Sequence, residues 1–287
     1  MKVLLILKNH PRNVQICEEL LKKYRNNSID LVLMKGEDLL PNPPNNLPLK
    51  IQKLWKIHFS KRYEFESKYF NCNLKNLKTS INIYKEFDEL TDPRFVKFLK
   101  NNNYDLSFIS GIKIIPKNLM SLLPSYTINF HLGFIPYYKG TITTFWPFYF
   151  LEPHMLATTY HIIDEKVDTG EILHTSFPSL SSTDSLHESS CKAIFNGQSD
   201  IFKVFEYIKN RIHNKDVIIK DTSLMIQGKL FRNSDWKPEM LSFIYEVHKD
   251  QIVKNFYDKK LLINKKYISI NESFEKKNKK LHIEILL

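Results

Sequence analysis

Residues 2–7 read Lys2-Val3-Leu4-Leu5-Ile6-Leu7, a short apolar run suited to a strand buried on both faces of a parallel sheet. Working outward, Val14 to Tyr24 follows with helical spacing at Ile16, Leu20 and Leu21, and Ile29 to Met34, Asp105 to Ser110 and Thr127 to His131 read as further strands. This alternation predicts an α/β fold, an open Rossmann-type sheet with helices on both faces.

The segments between and beyond these strands carry their own signals. Pro41 to Asn46 is a loop, and Leu49 to Phe70 mixes Leu54, Ile57, Phe59 and Phe70 with many charges, which predicts a partly amphipathic helical insertion. Thr91-Asp92-Pro93 suits a helix start with a capping side chain, leading through Phe95 to Leu99. Ala157 to Ile163 and Glu171 to His174 read as strands, and Ser185-Leu186-His187-Glu188 has capping-box spacing for a helix running towards Tyr207. After residue 215 the character changes. Short β-like runs at Val217 to Ile219 and Leu224 to Ile226, a Gly228 turn, Leu230-Phe231 and a helix from Pro238 to Tyr257 predict a small α+β appendage over 215–287, behind a main domain over 1–214. Lysine pairs at 259–260, 265–266, 276–277 and 279–280 make its tail basic.

Composition fits one sizeable core plus a smaller unit, with 43% hydrophobic residues among 287. Val3 to Leu7 is too short for a signal-peptide core and no run approaches a membrane span, so a cytoplasmic protein is expected. Cys17, Cys72 and Cys191 share no metal-like spacing, and reduced thiols are expected in place of a disulfide framework. The net charge of +11, from 42 Lys plus Arg against 31 Asp plus Glu, makes anionic partners plausible. Abundant Lys, Asn and Ile account for the same charge as a compositional bias, so charge alone does not choose a partner.

The chemistry concentrates in three elements: Asn129-Phe130-His131, Pro136-Tyr137-Tyr138-Lys139-Gly140, and the loop from Asp164 to Gly170. Asn129 and His131, two apart on a strand, face the same way, and Asp168 from the later loop can meet them. An amide, an imidazole and a carboxylate at one point suit acyl transfer. Gly140 and Gly170 are two of only seven glycines and mark turns that need positive φ or a close backbone approach.

At these residues the chain resembles the formyltransferase family that uses 10-formyltetrahydrofolate, with its Asn-x-His strand end, Pro-x-x-x-Gly turn and Asp-Thr-Gly element, here Asp168-Thr169-Gly170. The stretch from Ile109 to Pro116 looks like the family's folate-binding segment, and the resemblance implies that backbone groups at Lys113 and Ile115 read the pterin. It also implies that an amine attacks the formyl carbon, with Asn129 or a protonated His131 stabilising the oxygen, His131 taking the amine proton, and Asp168 orienting the ring or relaying the proton through water. Neither a covalent enzyme intermediate nor a metal is called for. In the family a helix follows the glycine turn, which makes Phe145, Trp146 and Phe148 core residues.

Departures from the family pattern sort its branches. Lys8-Asn9-His10-Pro11-Arg12-Asn13 lacks the glycines of the glycinamide ribonucleotide branch's phosphate loop. Ile135-Pro136-Tyr137-Tyr138-Lys139-Gly140 differs from the initiator-tRNA branch's Leu-Pro-Arg-x-Arg-Gly, and residues 215–287 are short for its C-terminal barrel, although basic. The remaining branch, the sugar N-formyltransferases, makes a nucleotide-linked amino sugar of the dideoxyhexose type the expected acceptor. Methionyl-tRNA formylation is the alternative, and a non-catalytic folate binder on the same fold is a third class. The appended region would then shape an acceptor pocket or a contact in a homodimer.

Overall fold

The computed structural model describes residues 1–24, 28–72, 77–216 and 228–258. In chain order the elements that place the site are β1 (Lys2–Lys8), α1 (Pro11–Lys23), β2 (Ser28–Met34), α2 (Leu49–Tyr69), β3 (Ile83–Phe87), α3 (Pro93–Lys100), β4 (Leu106–Ser110), α4 (Lys117–Met120) and β5 (Thr127–His131). They continue as β6 (Tyr138–Gly140), α5 (Trp146–Tyr149), β7 (Thr158–Ile162), β8 (Ile172–Ser176), α6 (Leu186–Ser199), α7 (Ile201–Asn214), β9 (Lys229–Phe231) and α8 (Ile252–Tyr257). No helix among the described residues is long and apolar enough to cross a membrane.

Seven strands form one sheet in the order β3-β2-β1-β4-β5-β7-β8. The first five are parallel, and β7 then runs antiparallel to both β5 and β8. The unbroken run in β1 is explained by its two faces. Val3, Leu5 and Leu7 pack with α1 and α7 residues such as Leu20 and Phe205, whereas Leu4 and Ile6 pack with Phe95 and Leu99 of α3. Helices cover both faces, as the alternation predicts.

Two helix starts follow their sequence signals, with Asp92 accepting from the Arg94 N–H at 2.8 Å and Ser185 accepting from the Glu188 N–H at 3.3 Å. Three features differ from expectation. β3 carries no strand signal in the sequence; its edge position leaves Lys85 and Glu86 exposed, so it lacks an apolar pattern. The helix towards Tyr207 is two helices, divided at Asp200, whose carboxylate accepts from His174 and Ser176. The helix expected from Pro238 to Tyr257 is interrupted at Lys249 and Asp250, both at positive φ (52° and 56°). Asp250 is held there by the Leu186 N–H at 3.0 Å and by Lys61 at 2.8 Å. Val217 to Ile219, Leu224 to Ile226 and the lysine pairs lie outside the described residues.

The segment 228–258 shares a core with the rest of the chain. Phe231, Leu241, Ile244 and Ile252 are buried with Ile51 and Leu54 of α2 and with Tyr138, Phe145 and Trp146. Each such side chain contributes about 1.5–3 kcal/mol by burial. β9 pairs in parallel with β6, which ties this segment to the glycine turn.

Candidate active site

The site forms where the sheet changes from parallel to antiparallel. β5 carries Asn129 and His131 on one face, and β7 beside it sets His161 opposite Asn129 and Thr159 opposite His131. Asp168 reaches in from the loop between β7 and β8, with φ at 52°, an uncommon conformation for a residue other than glycine. Its carboxylate is the hub. Oδ2 accepts from the Gly140 N–H at 2.7 Å and lies 3.5 Å from His131 Nδ1, while Oδ1 lies 3.5 Å from Asn129 Nδ2 and 3.4 Å from His161 Nε2. The sequence-derived trio is thus gathered within one shell.

Hydrogen accounting tells what the shell can do. His131 Nε2 is 2.8 Å from the Tyr138 carbonyl, which only accepts, so Nε2 carries a proton. In the neutral ring Nδ1 is then a lone pair facing a carboxylate. The gap between Nδ1 and Asp168 Oδ2 has room for one more proton, and filling it gives an imidazolium with both N–H groups partnered. Burial pushes His131 below its ordinary pKa, opposed by the Asp168 charge and the Tyr138 carbonyl. Burial alone would raise Asp168, but the His131 charge and the Gly140 N–H outweigh it and hold the carboxyl well below the usual range.

The turn behind the hub is braced by backbone. Gly140 has φ at 93° and packs on the Phe231 carbonyl, to which the Thr141 N–H donates at 2.9 Å. Trp146 Nε1 donates to the Thr141 carbonyl at 2.9 Å, and Phe145, Trp146 and Phe148 are buried, as core residues.

Lys113 and Ile115 lie beyond the end of β4, in an irregular segment leading to α4. β4 adjoins β5 with Ile109 opposite Asn129, so this segment leaves the sheet beside the trio without touching it in any described contact. The Lys113 ammonium is held by Glu89 at 2.8 Å, and Ile115 packs partly against the α3 side of the core.

His161 is the residue that sequence reasoning missed. It falls within a strand that was anticipated, but its place depends on the antiparallel register with β5, for which one sequence carries no signal.

No protein-family model matches the chain. Over 126 residues it is 29% identical to the methionyl-tRNA formyltransferase of Thermodesulfovibrio yellowstonii, covering 44% of this chain and 41% of that protein. The chain spans less than half the length of the curated relatives it matches. Among solved structures, a sugar N-formyltransferase from a Shewanella species has a TM-score of 0.52 at 15% identity, over 82% of this chain and 78% of that one. An N-formyltransferase from Helicobacter canadensis, solved with folinic acid and dTDP-3-aminofucose, has a TM-score of 0.50 at 17% identity, over 83% and 73% of the two chains. Those two likenesses carry the fold. Formyltransferases thus stand on both sides, as what the chain resembles in sequence over part of its length and in fold over most of it.

Proposed function

We propose that the protein transfers the formyl group of 10-formyltetrahydrofolate to the amine of a nucleotide-linked amino sugar, of the dideoxyhexose type. The observation that carries this reading is the open proton position between His131 Nδ1 and Asp168 Oδ2, 3.5 Å apart, beside Asn129. An amine that attacks a formyl carbon must lose a proton, and this position accepts one, directly or through a water. As the new C–N bond forms, the bond from the formyl carbon to the folate nitrogen breaks, and the His131 imidazolium can return the proton to that nitrogen. Asn129 and the imidazolium supply the polar environment in which charge shifts during transfer.

The residues at the end of β4 fit a flat heterocycle with an amide-like edge. Lys113 and Ile115 have backbone N–H and C=O groups without hydrogen-bond partners among the described residues, so they are available to read such an edge. The excess of positive charge suits the anionic tail of a folate and the diphosphate of a sugar nucleotide.

The acceptor reading is supported by the fold neighbours, which include sugar N-formyltransferases, and by the sequence departures at Lys8 to Asn13 and at Ile135 to Gly140. A second reading, methionyl-tRNA formylation, is favoured by the sequence matches. Incubating the enzyme with 10-formyltetrahydrofolate and a panel of amino-sugar nucleotides should give one product heavier by a single formyl group. Formylation of charged initiator tRNA alone would establish the second reading, and formate release without any formylated amine would defeat both.

A further inference from the structure

His161 lies outside the expected trio yet touches two of its members. The residue is 2% exposed. Nε2 stands 3.1 Å from Asn129 Nδ2 and 3.4 Å from Asp168 Oδ1, while Nδ1 stands 3.0 Å from the Ile162 carbonyl oxygen. A carbonyl only accepts, so the proton of the neutral ring belongs on Nδ1 and leaves a lone pair on Nε2. That lone pair needs a donor, and the Asn129 NH2 group supplies one.

Beside a neutral His161 ring, the neighbours fix the orientation of the Asn129 amide. With nitrogen inward, its two hydrogens serve His161 Nε2 and Asp168 Oδ1. Turned over, the amide would set its oxygen against a lone pair and a carboxylate, three acceptors with no proton among them. The inward nitrogen leaves Asn129 Oδ1 as the polar atom directed away from this pair.

We propose that His161 is a positioning residue whose Nδ1–H tautomer, fixed by the Ile162 carbonyl, holds Asn129 with its carbonyl oxygen towards the acceptor amine. Asn129 then accepts an N–H of the amine and aligns the nitrogen lone pair on the formyl carbon; donation to the formyl oxygen, the role expected from sequence, falls to other groups. The charged or titratable groups facing His161 are Asp168 from the β7–β8 loop and His131 from β5, whose ring lies 6.3 Å away between centroids. The catalytic part of this inference rests on the formyl-transfer reading; the tautomer does not.

Two measurements on the full chain test it. In protein carrying 15N-labelled histidine, NMR should show His161 protonated at Nδ1 and bare at Nε2, with the signal assigned by its loss in His161→Gln. A proton on Nε2 would overturn the proposal whether or not any substrate is turned over. In kinetics, His161→Phe keeps an aromatic ring but offers no acceptor, and kcat should fall about tenfold or more with KM for the donor little changed. His161→Gln offers an amide oxygen to the Asn129 NH2 and should recover most of that loss. If Phe serves as well as Gln in folded proteins, His161 is a packing residue and the proposal fails. A wild-type protein with the Nδ1–H tautomer that formylates no amine would refute the proposed function and the role of Asn129 in it, leaving the side-chain geometry in place.

Discussion

The Gly140 N–H meets Asp168 Oδ2 at 2.7 Å, and the same glycine rests against the Phe231 carbonyl on its other side. Gly140 has φ at 93°, and a Cβ there would overlap the Phe231 carbonyl oxygen. Gly140→Ala should therefore displace the donor from Asp168 and strain the turn. We expect a loss of about 1–3 kcal/mol in stability, seen as a lower Tm, and a fall in kcat of about tenfold or more.

The proton position between His131 and Asp168 leads to a second expectation. His131→Ala and Asp168→Asn should each lower kcat by roughly 100-fold or more while circular dichroism stays native. Asn129→Ala should do the same. Near-normal turnover in folded His131→Ala protein would rule out the proposed proton acceptor.

Much of this geometry was legible in the sequence, for identifiable reasons. The run in β1 announces burial on two faces, and the two-residue spacing of Asn129 and His131 on a strand forces them to one side. Asp168 lies in a loop between two strands read from the sequence, where a side chain can reach the same point. His161 was hidden because its importance comes from strand pairing, which a lone strand does not encode. Long-range anchors explain the helix errors as well. Asp200 divides α6 from α7 where His174 and Ser176 hold its carboxylate, and Asp250 interrupts the C-terminal helix where the Leu186 N–H and Lys61 hold it. β3 escaped because an edge strand has little need of apolar side chains.

A third expectation concerns the segment 228–258. Phe231 is 2% exposed and stacks on Trp146 with centroids 4.6 Å apart, while its carbonyl accepts from Thr141. Phe231→Ala should cost about 3–5 kcal/mol in stability. Because the lost ring lies behind the glycine turn, kcat should fall more than donor affinity. Chemical denaturation and a binding titration with a folate analogue would separate the two effects.

Buried histidines give the protein an acid-side weakness. Burial pushes His10 down to about 3 and His58 to about 3, and it holds His187 well below its ordinary value. His58 Nδ1 is 2.9 Å from the Tyr245 hydroxyl and 3.2 Å from His187 Nε2, a cluster joining α2, α6 and the C-terminal segment. The unfolded chain takes up a proton at each near pH 6.5 while the folded chain does not, so stability is full above that pH and falls below it. Each group contributes a slope of about 1.4 kcal/mol per pH unit between its unfolded and folded pKa values. Tm should be flat from pH 7 to 8 and drop steeply from pH 6.5 to 5. Equal Tm values at pH 7.5 and 5.5 would contradict neutral burial of these rings.

The antiparallel pairing of β5 with β7 reaches beyond catalysis. His131 and Thr159 face each other across the ladder, so the intervening stretch leaves the sheet and returns to it at one place. That stretch carries Tyr138 and Gly140, which hold His131 Nε2 and Asp168 Oδ2, so an insertion that spares these two contacts costs mainly loop entropy, about 0.6 kcal/mol for each doubling of length, whereas one within 138–140 would pull the corner apart.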